Sequence, residues 1–291
     1  GMQFASTYVL KTGVAILGIG ISFMQILEVG RVVIPVVCIT IISGLLLAFV
    51  CKKIFNLDYK LATLIGVGTS ICGATAIAAT SPIIDAKQEH TAYAISVIAI
   101  FGTVAMSVYP YGVNYLFDSS LAKGIFLGSS IHDTSQVIGA GLIYTEQYGN
   151  NEVLDITTIT KLIRNSLMAL VIPFIAYFYY RININSESKN TAFDYKKAFP
   201  LFILFFILLA SVRSVGDYTL QDAQIISYWE EGVASLLALS KKIFLVVAMA
   251  AIGLQVNMRN FSKIGPKPFI AGFSIAVSLA FINIISISIF I

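Results

Sequence analysis

The sequence predicts an all-α, polytopic membrane protein with about nine transmembrane helices. Three observations predict it. The 291 residues are 57% hydrophobic and only 12% charged, whereas an ordinary soluble domain is about 25% charged. The mean hydropathy is +0.86, so a soluble fold would expose large apolar patches. Apolar stretches near the roughly 20 residues that span a bilayer recur along the whole chain. A multi-pass protein of the cell (inner) membrane is therefore expected, and the bilayer is its first partner. The net charge of +4 is too small to call for a nucleic-acid partner. Fourteen Tyr and twenty Phe suit aromatic belts at the membrane interfaces. Cys38, Cys51 and Cys72 sit in apolar segments with no paired spacing, so no disulfide framework and no metal site is expected.

The expected spans, in order, are 8–27, 32–50, 61–84, 91–116, 121–145, 159–180, 198–212, 235–256 and 268–291. The stretch before the first shows no small-residue cleavage site, so a signal peptide is not expected. The longest connections, 182–197 and 213–232, are too short for a soluble domain. With nine spans, twelve Lys and Arg residues fall on one side, among them Lys52, Lys60 and Lys123. Five to seven fall on the other, among them Lys87, Lys161 and Arg164. The richer side is expected to be cytoplasmic.

Three spans are unusual. In 61–84, Gly66, Gly68 and Gly73 weaken the helix at membrane depth, beside Thr69, Ser70, Cys72 and Thr75. A break there would leave two half-helices, with a positive N-terminal end and hydroxyls able to meet an anion. Close helix packing is the alternative, since small residues serve that too. In 121–145, His132 and Asp133 lie mid-span, where ionisable residues are functional candidates. On one continuous helix Ser129, His132, Asp133 and Gln136 share a face. They would serve as a proton relay, a cation site or oxyanion donors, or as a polar lock between helices. The third span, 243–262, turns polar at Gly253, Gln255, Asn257 and Arg259. It reads as a simple helix end or a second broken helix. Pairing it with 61–84 suggests two inverted five-helix repeats, an incomplete one over about 8–116 and a second over about 121–291.

The segments "GVGTSICGATAIAATSPII", "SSIHDTSQVIGAG", "KLIRN" and "AMAAIGL" resemble the signature segments of a bacterial membrane family assigned as sulfate exporters. The resemblance covers essentially the whole chain. It implies a fold similar to the sodium–proton antiporter and bile-acid symporter group, with two broken crossing helices and separate core and panel domains. It also implies an N-terminally shortened member, and it allows a homodimer. The Thr69–Thr75 break matches the family's first crossing helix, and Ile252–Gln255 matches the second. His132, Asp133 and Gln136 match its His-Asp-Thr-x-Gln-Val segment. Arg164 or His132 would supply charge to a bound anion.

The expected function is secondary active transport of a small anion, sulfate or an organosulfonate, by alternating access coupled to H+ or Na+, with no cofactor. A cation/proton antiporter or organic-anion symporter of the same fold is the alternative. An intramembrane hydrolase built on Ser130, His132 and Asp133 is disfavoured, because adjacent residues on one helix rarely form a nucleophile–base–acid chain. No enzyme activity is therefore expected. A non-transporting sensor or scaffold is the remaining reading.

Overall fold

The computed structural model describes residues 4, 8–182, 201–220, 223–253 and 265–291. Among them every regular element is a helix. The first are α1 (Leu10–Leu17, extended by a 3-10 turn to Gly20), α2 (Phe23–Phe55), α3 (Tyr59–Ser70), α4 (Ala74–Thr80) and α5 (Gln88–Leu116). Then come α6 (Ser120–Ser130), α7 (Thr134–Tyr148), α8 (Asn151–Ser166) and α9 (Met168–Ile182). The chain closes with α10 (Leu201–Thr219), α11 (Ala223–Leu239), α12 (Val246–Gly253) and α13 (Lys267–Phe290).

Four helical stretches among the described residues are long and apolar enough to cross a membrane: Ile26–Phe55, Gln88–Leu116, Asn151–Tyr179 and Lys267–Phe290. They correspond to α2, α5, α8 with α9, and α13. Ile34, Leu46, Val104 and Phe281 on these helices are exposed, as a lipid-facing surface requires. The protein is thus a multi-pass membrane protein.

The expected spans 61–84 and 121–145 do not cross. A continuous helix over Tyr59–Thr80 would hold its ends about 30 Å apart. Instead, Lys60 Nζ donates to the Asp85 carbonyl at 2.5 Å and lies 3.6 Å from its carboxylate. One step further out, His90 Nδ1 sits 3.4 Å from Asp58. So α3 enters, the chain reverses at Ile71–Gly73, and α4 returns. The second segment behaves alike. Asn150 Nδ2 donates to Ser120 Oγ at 2.9 Å, joining the two ends of α6–α7. Asn114 Oδ1 accepts from both Lys123 Nζ (3.2 Å) and Tyr144 OH (2.8 Å). This chain reverses at Ile131–Asp133. Each segment is a re-entrant helical hairpin; we call α3–α4 the first and α6–α7 the second.

The hairpins enter from opposite ends. Lys52, Lys53, Lys60, Lys87 and Lys267 gather at one end, where the Tyr59 and Tyr179 rings stack 6.5 Å apart and Tyr93 OH donates to the Gly265 carbonyl at 2.7 Å. The first hairpin opens to this lysine-rich end. The second opens to the other end, beside Asn114 at the far turn of α5. Reversal of 59–85 corrects the expected charge sides. Lys60 and Lys87 share one end, and Lys123 lies at the other.

The legs pack through glycines. Gly124 and Gly128 of α6 face Ile156 and Thr160 of α8, and Thr157 Oγ1 donates to the Gly124 carbonyl at 3.2 Å. The matched offset means that α6 and α8 run parallel in close contact. Gly44 of α2 faces Ser70, and Gly66 of α3 faces Ala48. A side chain at Gly128 would overpack the α6–α8 contact. Gly128→Val should cost about 1–3 kcal/mol, read as a lower melting midpoint of the purified protein in detergent. An unchanged midpoint would refute the contact.

Candidate functional site

The site is built from the two hairpin tips. At the first, Thr69 and Ser70 spend their hydroxyls on their own helix, donating to the Ile65 and Gly66 carbonyls at 2.5 and 2.6 Å. Such back-bonding loosens a helix. The turn then needs Gly73, whose φ of 66° and ψ of −130° suit glycine. A Cβ at Gly73 would also lie 2.7 Å from Asp133 Oδ2 on the second tip. The two tips therefore touch.

At the second tip the chain leaves the helix over Ile131–Asp133 and restarts at Thr134. Asp133 Oδ1 accepts from the backbone N–H and hydroxyl of Ser135 at 3.1 and 2.7 Å. Gln136 Oε1 accepts from the Asp133 N–H at 3.3 Å, completing a capping box. Gln136 Nε2 reaches α5, donating to the Ala99 carbonyl at 3.0 Å. This corrects the expected continuous polar face. Ser129 lies in the last turn of one leg, His132 lies in the break, and Asp133 and Gln136 start the other leg.

Between the tips stands α8. Lys161 and Arg164 are fully buried, which corrects their expected place near the exterior. Lys161 Nζ donates to the carbonyls of Ile71 and Ile131, each at 3.2 Å, and to that of His132. Arg164 Nε donates to the Ser70 carbonyl at 2.7 Å, and Nη2 to that of Thr69. Its Nη1 donates to the carbonyls of Ser129 and Ile131 at 2.7 and 2.9 Å. Each cation thus bonds both hairpins.

A helix C-terminus carries about half a negative charge, and the C-ends of α3 and α6 both point at this pair. Together they offset about one positive charge. Carbonyl dipoles of two helix ends therefore surround the two buried basic side chains.

Polar capacity remains beside the tips. His132 Nδ1, Thr160 Oγ1 and Asn165 Oδ1 are buried with no hydrogen-bond partner among the described residues. Asn165 Nδ2 meanwhile holds Thr134 Oγ1 at 3.0 Å. Ser130 Oγ accepts from Asn283 Nδ2 at 3.0 Å, and Thr40 Oγ1 donates to Asn283 Oδ1, tying the tip to α13 and α2.

Of the expected site residues, Thr69, Ser70, Gly73, Ser129, His132, Asp133, Gln136 and Arg164 come together. Cys72 is buried at the tip but faces Met168, its Sγ 3.5 Å from the thioether sulfur. Thr75 is exposed. Gly253 closes α12, which packs against α7 of the second hairpin, and Gln255 falls outside the described residues. Thr160 and Asn165 are the additions, and Lys161, expected beside Arg164 as an interface anchor or anion contact, joins them. Their signal was a helix carrying Lys and Arg three residues apart with no acidic neighbour in reach.

Arg164→Met would strand four carbonyl contacts, and breaking a buried ionic group of this kind costs about 3–5 kcal/mol. Arg164→Lys keeps the charge but not the planar fork. It should recover less than half of that loss. Thermal midpoints, together with amide exchange at residues 71–73 and 131–133, check both. A wild-type midpoint for Arg164→Lys would refute the bridging role.

A profile of the family described as conserved hypothetical protein 698 matches residues 1–272. A UPF0324 membrane protein of Fusobacterium nucleatum is 34% identical over 288 residues, covering 98% of this chain and 82% of its own length. One from Streptococcus pneumoniae is 37% identical over 276 residues, covering 94% of this chain and 77% of its own. One from Clostridium tetani is 30% identical over 293 residues, covering 97% and 80%. No solved structure matches. With two thirds or more of each of these relatives matched and nearly all of this chain covered, the chain belongs to the conserved hypothetical protein 698 family of UPF0324 membrane proteins.

Proposed function

We propose that this protein is a secondary active transporter of a small anion, working by alternating access, with its substrate site at the two hairpin tips. One observation carries the reading: two re-entrant hairpins, entering from opposite ends, meet at the buried Lys161–Arg164 pair. Non-helical backbone at membrane depth is tolerated where it is enclosed by protein or lines a cavity. Interrupted helices at the bilayer middle are a recurring way for transporters to hold solutes and ions. The unpartnered His132, Thr160 and Asn165 atoms supply polar groups that a bound solute or water would satisfy.

The repeat we propose is a hairpin followed by a crossing helix. It occurs as α3–α4 with α5, and again inverted as α6–α7 with α8–α9. It is smaller than the five-helix unit expected from the sequence. The lysine-rich end is read as cytoplasmic. Sulfate or an organosulfonate is the substrate class that the family resemblance implies.

Lys161 and Arg164 already direct seven hydrogen bonds at tip carbonyls. An arriving anion must displace some of these carbonyls to reach the cations. Binding is thereby tied to reshaping of the tips, the differential contact that a two-state transport cycle requires. Asp133 would carry the coupling proton or hold the coupling cation. The saturation of both cations also favours a second reading, a cation/proton antiporter in which Asp133 alone changes charge.

Flux of labelled sulfate and an organosulfonate into proteoliposomes under a pH gradient tests the proposal. Uptake should follow the gradient, and Asp133→Asn should abolish that dependence. A variant with wild-type pH dependence sinks the coupling role. Sodium–proton exchange without anion flux would select the antiporter, and no flux of any kind would overturn transport.

A further inference from the structure

A second site lies away from the hairpin tips, on the membrane-facing side of the first hairpin. Here α2, α3 and α9 leave an apolar groove of about 580 Å³. Its walls include Leu45 and Phe49 of α2 and Phe174 and Phe178 of α9. Its mouth, at the lysine-rich end, is formed by Lys52 and Tyr59. The groove follows α2 from Ile42 to Lys52, which at 1.5 Å per residue is about 15 Å. That is half of a roughly 30 Å hydrocarbon core. The groove is as long as one leaflet is deep.

The mouth is cationic. Lys52 Nζ lies 5.4 Å from the Tyr59 ring centroid, and Lys53 Nζ lies 4.7 Å from that of Phe49. Neither lysine meets a carboxylate among the described residues. Lys60 differs, being held by Asp85. Lys52 is thus held at the groove mouth and Lys53 over the Phe49 ring of its wall, with no carboxylate partner among the described residues.

An apolar slot one leaflet deep, with the Lys52 ammonium and a tyrosine at its mouth and Lys53 over its Phe49 wall, has the chemistry that suits a phospholipid with negative headgroup charge. We propose that this groove binds an anionic phospholipid, with an acyl chain along α2 and α9 and the phosphate at Lys52 and Lys53. The lipid would sit against α3, the leg that carries Thr69 and Ser70 to the tip. Positive residues at this depth attract anionic headgroups, and the aromatic floor fixes where the headgroup rests. The site does not depend on what the protein transports.

Native mass spectrometry of the full chain, delipidated in detergent, tests this with phosphatidylglycerol and phosphatidylcholine of identical acyl chains. Phosphatidylglycerol should be retained about tenfold better. The double variant Lys52→Gln, Lys53→Gln should reduce the preference to about twofold or less. Lys87→Gln, an exposed lysine at the same end but outside the groove, should leave it unchanged. Leu45→Trp, which fills the slot and keeps both charges, should lower retention of phosphatidylglycerol. Equal retention of the two lipids overturns the proposal. So does a preference that survives the double variant, or one that Lys87→Gln weakens equally.

Discussion

The two hairpins and α8 are arranged around one set of hydrogen bonds, from Lys161 and Arg164 to carbonyls at the ends of two interrupted helices. A helix stopped in mid-membrane leaves carbonyls that neither water nor a next turn can satisfy. Here α3 and α6 stop at the same depth, and one helix, α8, carries donors for both. The six receiving carbonyls belong to Thr69, Ser70, Ile71, Ser129, Ile131 and His132. The dependence is mutual. Without the cations the hairpin ends would be buried and unmet; without the hairpin ends two positive charges could not remain in an apolar interior.

This constraint explains the neighbouring sequence. Small residues at 124 and 128 bring α6 close enough to α8 for side chains three residues apart to reach its last carbonyls. Gly73 brings the first tip onto Asp133. The alternation of short legs and long crossing helices follows as well, since a leg needs only to reach the middle. Its length is set by the position of the donors on α8 and not by the thickness of the bilayer.

The membrane class, the four crossing stretches and the weak point at 66–73 were legible in the sequence. Composition and glycine placement act locally, so they can be read locally. The reversals were not. A hairpin of two apolar legs and a single spanning helix have the same length and hydrophobicity, and contacts such as Lys60 with Asp85 distinguish them. Turn chemistry at Ser81, Pro82 and Asp85 was the available cue, and Asp85 takes a positive φ of 50°. The break at 131–133 was hidden because Ser129, His132, Asp133 and Gln136 also fit a helical period. The sequence Asp133-Thr-Ser-Gln136 is nevertheless a capping signature, and it marks a helix start where a helix middle was read. Lys161 and Arg164 lay outside any periodic pattern, because their partners are backbone atoms, which leave no trace in residue identity.

The contact between Gln136 and α5 has a mechanical corollary. A Cβ at Gly102 would collide with the Gln136 amide, so α5 carries a notch that this side chain occupies while it also closes the cap of α7. The neighbouring positions one helical turn away on α5 are Ile98 and Met106, and neither offers such a recess. The second hairpin and α5 are consequently keyed at a single register. A slide of one turn, about 5.4 Å, would unseat the glutamine and uncap the helix in the same movement. Withdrawing the second hairpin from α5 would therefore break the Gln136–Ala99 bond and the cap of α7 together.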